Sequence, residues 1–400
     1  VSDIAAPEAK PMRAPEGSPA EVFWAFLKLG LTSFGGPVAH IGYFRNEFVL
    51  RRQWLTEAAY ADLVGLCQFL PGPASSQVGF SLGLLRGRGL LGGLMAWLGF
   101  TAPSALLMLA FAFWASALTG PVATGVLHGL KLVAVAVVAQ AVWGMARTLA
   151  PDQPRAGIAL TALAMVVVFG GAGGQIAAIV LGAALGLLLC RSGSTPVTGT
   201  IQMPVSRRAA FTALALFVAL FGLSACGAFL PQAAAIAASF YRAGALVFGG
   251  GHVVLPLLQD AVVKPGWVNA NAFITGYGAA QALPGPLFTF AAYLGALIPG
   301  PAAITGALIA LIAIFLPGLL LVYATLPFWD ALRTRKTAQA AMRGANAAVV
   351  GILASALYNP VWTSAIHTQA DFALAAFGFL LLTVWRAPPW AVVILLAAAG

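Results

Sequence analysis

Charge is what this chain has least of. Only 8% of its 400 residues are Asp, Glu, Lys or Arg, and only 11 are acidic. A soluble domain carries about a quarter charged residues. It could not bury a composition that is 60% hydrophobic. Machinery for nucleotide or metal chemistry is missing too. There is no G-x-x-x-x-G-K-[ST] loop and no H-E-x-x-H helix, which removes a built-in ATPase and a zinc hydrolase. Cysteine is scarce. Cys67, Cys190 and Cys226 are far apart and fit neither a disulfide nor a metal spacing. No cofactor is implied.

What remains is long apolar sequence without period-2 alternation. That pattern excludes a transmembrane barrel and fits an all-α polytopic membrane protein. The net charge of +10 sits mostly in short loops, as the positive-inside rule requires. Nucleic acid is therefore not an expected partner; the lipid bilayer is. Residues 1–22 hold Pro7, Glu8, Lys10, Pro11, Arg13, Pro15 and Glu16 and no apolar core. They read as a disordered cytoplasmic tail.

The chain repeats itself. Gln68-Phe69-Leu70-Pro71-Gly72-Pro73 returns 213 residues later (71 to 284) as Gln281-Ala282-Leu283-Pro284-Gly285-Pro286. Phe34-Gly35-Gly36 returns as Phe248-Gly249-Gly250, Trp54 as Trp267, Pro103 as Pro317, Gly129 as Gly344 and Trp143 as Tyr358. We therefore expect a first membrane unit over 23–191, a basic linker plus connecting helix over 192–234, and a second unit over 235–400. Each unit opens with four short apolar segments, the first set near 23–36, 37–50, 57–70 and 73–85. Fourteen helical residues span about 21 Å, short of the ~30 Å hydrocarbon core. They read as re-entrant or broken half-helices.

Loop charge sets direction. Arg86-Gly87-Arg88 precedes the long helix of the first unit, whereas the matching loop is Pro299-Gly300-Pro301. After that helix the bias reverses: 119–128 has no Lys or Arg, and its counterpart has Arg333, Arg335, Lys336 and Arg343. The halves should face opposite ways, as inverted-topology repeats. The amino terminus is then cytoplasmic.

Breaks at matching places point to a substrate site at the midplane. A helix that starts at a break aims free N–H groups and partial positive charge at the centre, an anion site without a full charge. Four such starts lie at Gly35-Gly36-Pro37, Pro71-Gly72-Pro73, Gly249-Gly250-Gly251 and Pro284-Gly285-Pro286. Ser75, Ser76, Gln77 and Thr289 follow them and can donate hydrogen bonds. Gln68 and Gln281 precede them. Lys28 and Arg242 occupy matching half-helices and either offset a dianion or snorkel. His40 and His252 fall in the first turn after the Gly-Gly breaks and suit proton coupling or a structural bond. Asp62, Glu57 and Arg45 are candidates for coupling or gating, with Asp62 free to pair with Arg45 or Lys28. Lys131 reads as snorkelling at a helix end.

Phe34-Gly35-Gly36-Pro37-x-x-His40, Trp54 and Gln68-x-Leu70-Pro71-Gly72-Pro73-x-x-x-Gln77 resemble the amino-terminal domain of the chromate ion transporter family. Phe248-Gly249-Gly250-Gly251-x-Val253-x-x-Pro256 and Gln281-x-Leu283-Pro284-Gly285-Pro286 resemble its carboxy-terminal domain. The resemblance spans nearly everything from residue 23. It implies chromate efflux across the bacterial inner membrane and chromate resistance, with sulfate as the analogue. The residues alone imply only an anion-compatible inverted-repeat transporter, driven by ion gradients or the membrane potential, with a homodimer left open. A sulfate importer or an anion channel of the same fold would show the same residues.

Overall fold

The computed structural model describes residues 17–117, 120–191, 204–226, 230–329, 331 and 335–400. Most of the expected tail, the linker over 192–203 and Arg333 lie outside the described residues. The described residues are helical, with no strand among them. Among the described residues, five helices are long and apolar enough to cross a membrane. The chain is an all-α, multi-pass membrane protein.

The four short segments are helical, but the first is displaced: it begins at Pro19, inside the expected tail, because Ser18 caps it and Val22 is buried, and it ends at Thr32 rather than 36. They are α1 (Pro19–Thr32), α2 (Gly36–Phe44), α3 (Glu57–Phe69) and α4 (Ala74–Arg86). Helix α2 runs on as a π-helix over Arg45–Arg51. Ser18 caps α1 by accepting from the Glu21 N–H, and Thr56 caps α3 through the Ala59 N–H. The long helices α5 (Leu90–Ala117) and α6 (Pro121–Leu149) follow, then α7 (Gln153–Phe169) and α8 (Gly171–Leu189). Helix α9 (Arg207–Ser224) connects onward.

The second half repeats the series with α10 (Gln232–Ala245), α11 (Val254–Leu258), α12 (Ala270–Ala280) and α13 (Phe290–Leu297). Short 3-10 turns at Gly251–Val253 and Leu287–Thr289 open α11 and α13. Then come α14 (Ala303–Thr325), α15 (Lys336–Ala356), α16 (Gln369–Thr383) and α17 (Pro389–Ala399). Pro103 and Pro317 both sit inside long helices, α5 and α14.

Small residues bring these helices together, as expected where lipid offers no hydrophobic drive. Helix α1 packs on α5, and α10 on α14. A Cβ on Gly30 would lie 2.8 Å from the Gly99 carbonyl oxygen; Gly244 abuts the Ile314 carbonyl in the same way. Later helices exchange partners. The α7–α8 pair packs on α15 of the other half, and the α16–α17 pair packs on α6. Gly182 and Gly186 meet Gly344 at the first of these seams, and Gly129 meets Leu396 at the second.

Charged residues gather at the ends. Arg86 pairs with Glu21 at 3.0 Å, and Arg51 and Arg52 with Glu47 at 2.7 Å each. The Arg52 and Arg86 guanidiniums lie 5.6 and 5.4 Å from the Trp54 ring centroid. The start of α1, the end of the π-helix and the end of α4 thus share one face.

Candidate functional site

The two Leu-Pro-Gly-Pro breaks dock on each other's halves. Helix α3 stops because Leu70 is extended before Pro71. The next N–H, of Gly72, donates to the Val247 carbonyl at 2.7 Å. In the other half the Gly285 N–H donates to the Ser33 carbonyl at 2.9 Å. Ser33 and Val247 close matching half-helices, α1 and α10, so the two bonds are reciprocal. Both glycines need positive φ, +121° at Gly72 and +94° at Gly285. Both also touch the other half's proline-bearing helix. A Cβ at Gly72 would lie 2.9 Å from Gly318 Cα, and one at Gly285 2.8 Å from Ser104 Oγ.

The Gly-Gly breaks reach the same centre. A Cβ on Gly251 would sit 3.1 Å from Pro37 Cγ and 4.0 Å from a Leu287 methyl. Behind Pro37, His40 is fully buried, with Nδ1 3.4 Å from Ser75 Oγ and its ring against Phe100. Several buried polar atoms here have no partner: His40 Nε2, Ser33 Oγ, Ser76 Oγ, Gln77 Oε1, Thr101 Oγ1 and Gln281 Nε2. An unsatisfied buried group costs about 1–3 kcal/mol, so such a cluster fits a place that a polar ligand or water occupies. Pro73, Pro284 and Pro286 are buried beside it, and Pro71 is half-buried.

Other predicted residues do different work. Gln77 commits both amide hydrogens, to the Pro71 carbonyl at 2.9 Å and the Gly318 carbonyl at 3.0 Å. It clips the first break onto α14. Thr289 donates to the Pro286 carbonyl at 2.9 Å and caps its own turn. Gly249 and Gly250 face Met145 on α6, while Gly35 and Gln68 are exposed. His252 lies 2.7 Å from the Tyr277 hydroxyl.

The two matched cations stay away from the breaks. Lys28 is exposed and carries no side-chain hydrogen bond among the described residues. Arg242 donates to the Ser224 carbonyl at 3.3 Å, closing the end of α9. Arg45 pairs with Glu57 at 2.6 Å on the surface. Asp62 instead accepts from the Trp329 indole N–H at 3.1 Å. Gly79-Phe80-Ser81-Leu82-Gly83 has the G-x-S-x-G form. It makes no nucleophile elbow, because Ser81 is buried mid-helix and donates to the Gln77 carbonyl.

A cavity of about 540 Å³ opens between the end of α5 and the starts of α6 and α12. Lys131, His128, Asn271, Thr275 and Tyr293 line it. No local pattern announces it, since these residues are up to 165 positions apart (128 to 293). The signal available was a lysine inside a transmembrane helix.

A sequence profile described as Chromate transporter matches residues 20–187 and 234–400. A probable chromate transport protein of Synechococcus elongatus is 30% identical over 94% of this chain and 93% of its own length. A chromate transport protein of Pseudomonas aeruginosa is 29% identical over 96% and 92%. One from Cupriavidus metallidurans is 28% identical over 86% and 83%. No solved structure matches.

Proposed function

Because the chain belongs to the chromate transporter family, we propose that it is a secondary carrier exporting chromate across the bacterial inner membrane. It confers chromate resistance, and sulfate competes as the analogue. The observation that carries this reading is the reciprocal docking of the breaks beside buried, unpartnered polar atoms. The starts of α2 and α4 supply N–H groups and partial positive charge there. Ser75 and Ser76 add hydroxyls, and His40 can hold or release a proton. A dianion is bound without an opposing full charge that would hold it too tightly to leave.

Inverted repeats account for the reciprocity. The end of α14 reaches Asp62 near the start of α3. The end of α5 reaches Asn271 and Thr275 near the start of α12. This exchange supports two units of opposite direction, 23–191 and 235–400. The Arg86 face is then cytoplasmic, and the amino terminus lies on it. The membrane potential or a proton gradient drives export. Moving a dianion out of a negative interior is downhill by roughly 2.3 kcal/mol per charge per 100 mV.

Flux of chromate and radioactive sulfate in oriented vesicles under an imposed potential tests the reading. Chromate moving from the Arg86 face, faster with that face negative, is expected. Sulfate accumulation without chromate export would replace it by an importer, and unitary currents by a channel.

A further inference from the structure

The cleft at the end of α5 is separate from the breaks. Along α12, Asn271 at the cleft and Gln281 at the break are ten residues apart, or about 15 Å. Its chemistry is that of an anion site. The Lys131 ammonium bonds the Asn271 side-chain oxygen at 2.9 Å. It has no carboxylate partner among the described residues. That bond turns the Asn271 amide N–H groups away from Lys131, leaving them to donate elsewhere. Thr275 is only 4% exposed and lines the cavity. Its hydroxyl makes no hydrogen bond among the described residues.

The nearby carboxylate is already satisfied. Asp371 takes His128 Nε2 at 2.8 Å and the backbone N–H groups of His367 and Thr368 at 3.0 and 2.9 Å. It is therefore not Lys131's counter-ion. The cavity presents one ammonium, an amide and a buried hydroxyl. It is also large enough for a tetrahedral oxyanion with water around it.

We propose that this cleft is a second oxyanion-binding site, on the face opposite Arg86, with Lys131 as its charge and Asn271 and Thr275 as its neutral donors. Its ligand is a free tetrahedral dianion of the sulfate class. The proposal rests on the transport reading for its biological sense but not for its chemistry. Under that reading it is where a departing anion pauses before reaching water.

The test uses the full chain with Cys226→Ser, since Cys226 is exposed while Cys67 and Cys190 are buried. An Ala115→Cys reporter stands in the cleft wall. Maleimide modification is timed in sulfate and in chloride at equal ionic strength; sulfate is used because chromate oxidises thiols. Sulfate should slow modification saturably, by at least about fivefold. Lys131→Met should abolish the slowing, and Lys131→Arg should keep it. Equal rates in sulfate and chloride, or undiminished slowing in Lys131→Met, overturn the proposal. Slowing that needs only phosphatidylglycerol vesicles in place of phosphatidylcholine, without sulfate, assigns the cleft to a lipid phosphate and overturns it too. Protection without chromate flux keeps the cleft and discards chromate transport. Flux without protection does the reverse.

Discussion

Ala115 and Trp329 hold matching places at the ends of α5 and α14, yet the two ends have opposite shapes. At the Ala115 end a cavity of about 540 Å³ stands open beside Lys131 and Thr275. At the other end the matching positions are Asn346 and Asp62. There the Trp329 indole lies 5.9 Å from the Phe69 ring and donates to Asp62 at 3.1 Å. Asn346 Oδ1 is buried without a partner. One side chain supplies on one face the bulk that a methyl group leaves out on the other. The reciprocal bonds of Gly72 and Gly285 are alike in the two halves, while the rims are not.

Five substitutions would break or sharpen that comparison. Gly72→Ala and Gly285→Ala should have the largest effect, and by similar amounts. Each puts alanine at a positive φ that costs about 1–2 kcal/mol, and each drives a Cβ into the opposite half. Thermal midpoints in detergent should fall together and flux should be lost; a fall at only one site would show that the centre is unequal as well.

Trp329→Ala comes next. Removing a partly buried indole should cost roughly 2–3 kcal/mol, below the range for a fully buried one. It should also open the filled rim. A cysteine at position 346 should then react with maleimide about tenfold faster, the equivalent of roughly 1.4 kcal/mol in an opening equilibrium. Unchanged reactivity would mean that Trp329 does not close that face.

Ala115→Trp should do the converse. It should slow chromate flux, with little change in thermal midpoint because the cavity has room. The smallest effect belongs to Arg45→Gln. Its bond to Glu57 joins two exposed side chains, and such pairs add little. Flux and midpoint should stay at wild-type values, and a clear loss of flux would restore Arg45 as a gating group.

Much of the fold was legible in the sequence because proline and glycine act locally. Pro71, Gly72 and Pro73 end one helix and start the next whatever surrounds them, so α3 and α4 fall within a residue of their expected limits. The site was only partly legible. The breaks place His40 and Ser75 in first turns, but their contact at 3.4 Å appears only in the fold. Gln77 turns its amide to the Gly318 carbonyl, 241 positions away. Arg242 turns to the end of α9. Both choices depend on which helix packs behind the residue, and pattern does not encode that. The cleft is hidden for the same reason, because Lys131 meets Asn271 only after the halves interlock.

That interlocking bears on how the protein is made. The first half alone would leave the Gly72 N–H without its acceptor and the α7–α8 pair without α15. Inside a bilayer no water is present to stand in for them. The early helices must therefore wait, loosely assembled, until the later ones leave the ribosome and clasp them. Two polypeptides cut in the 192–203 stretch should accordingly rescue each other when made together, and each should be degraded when made alone.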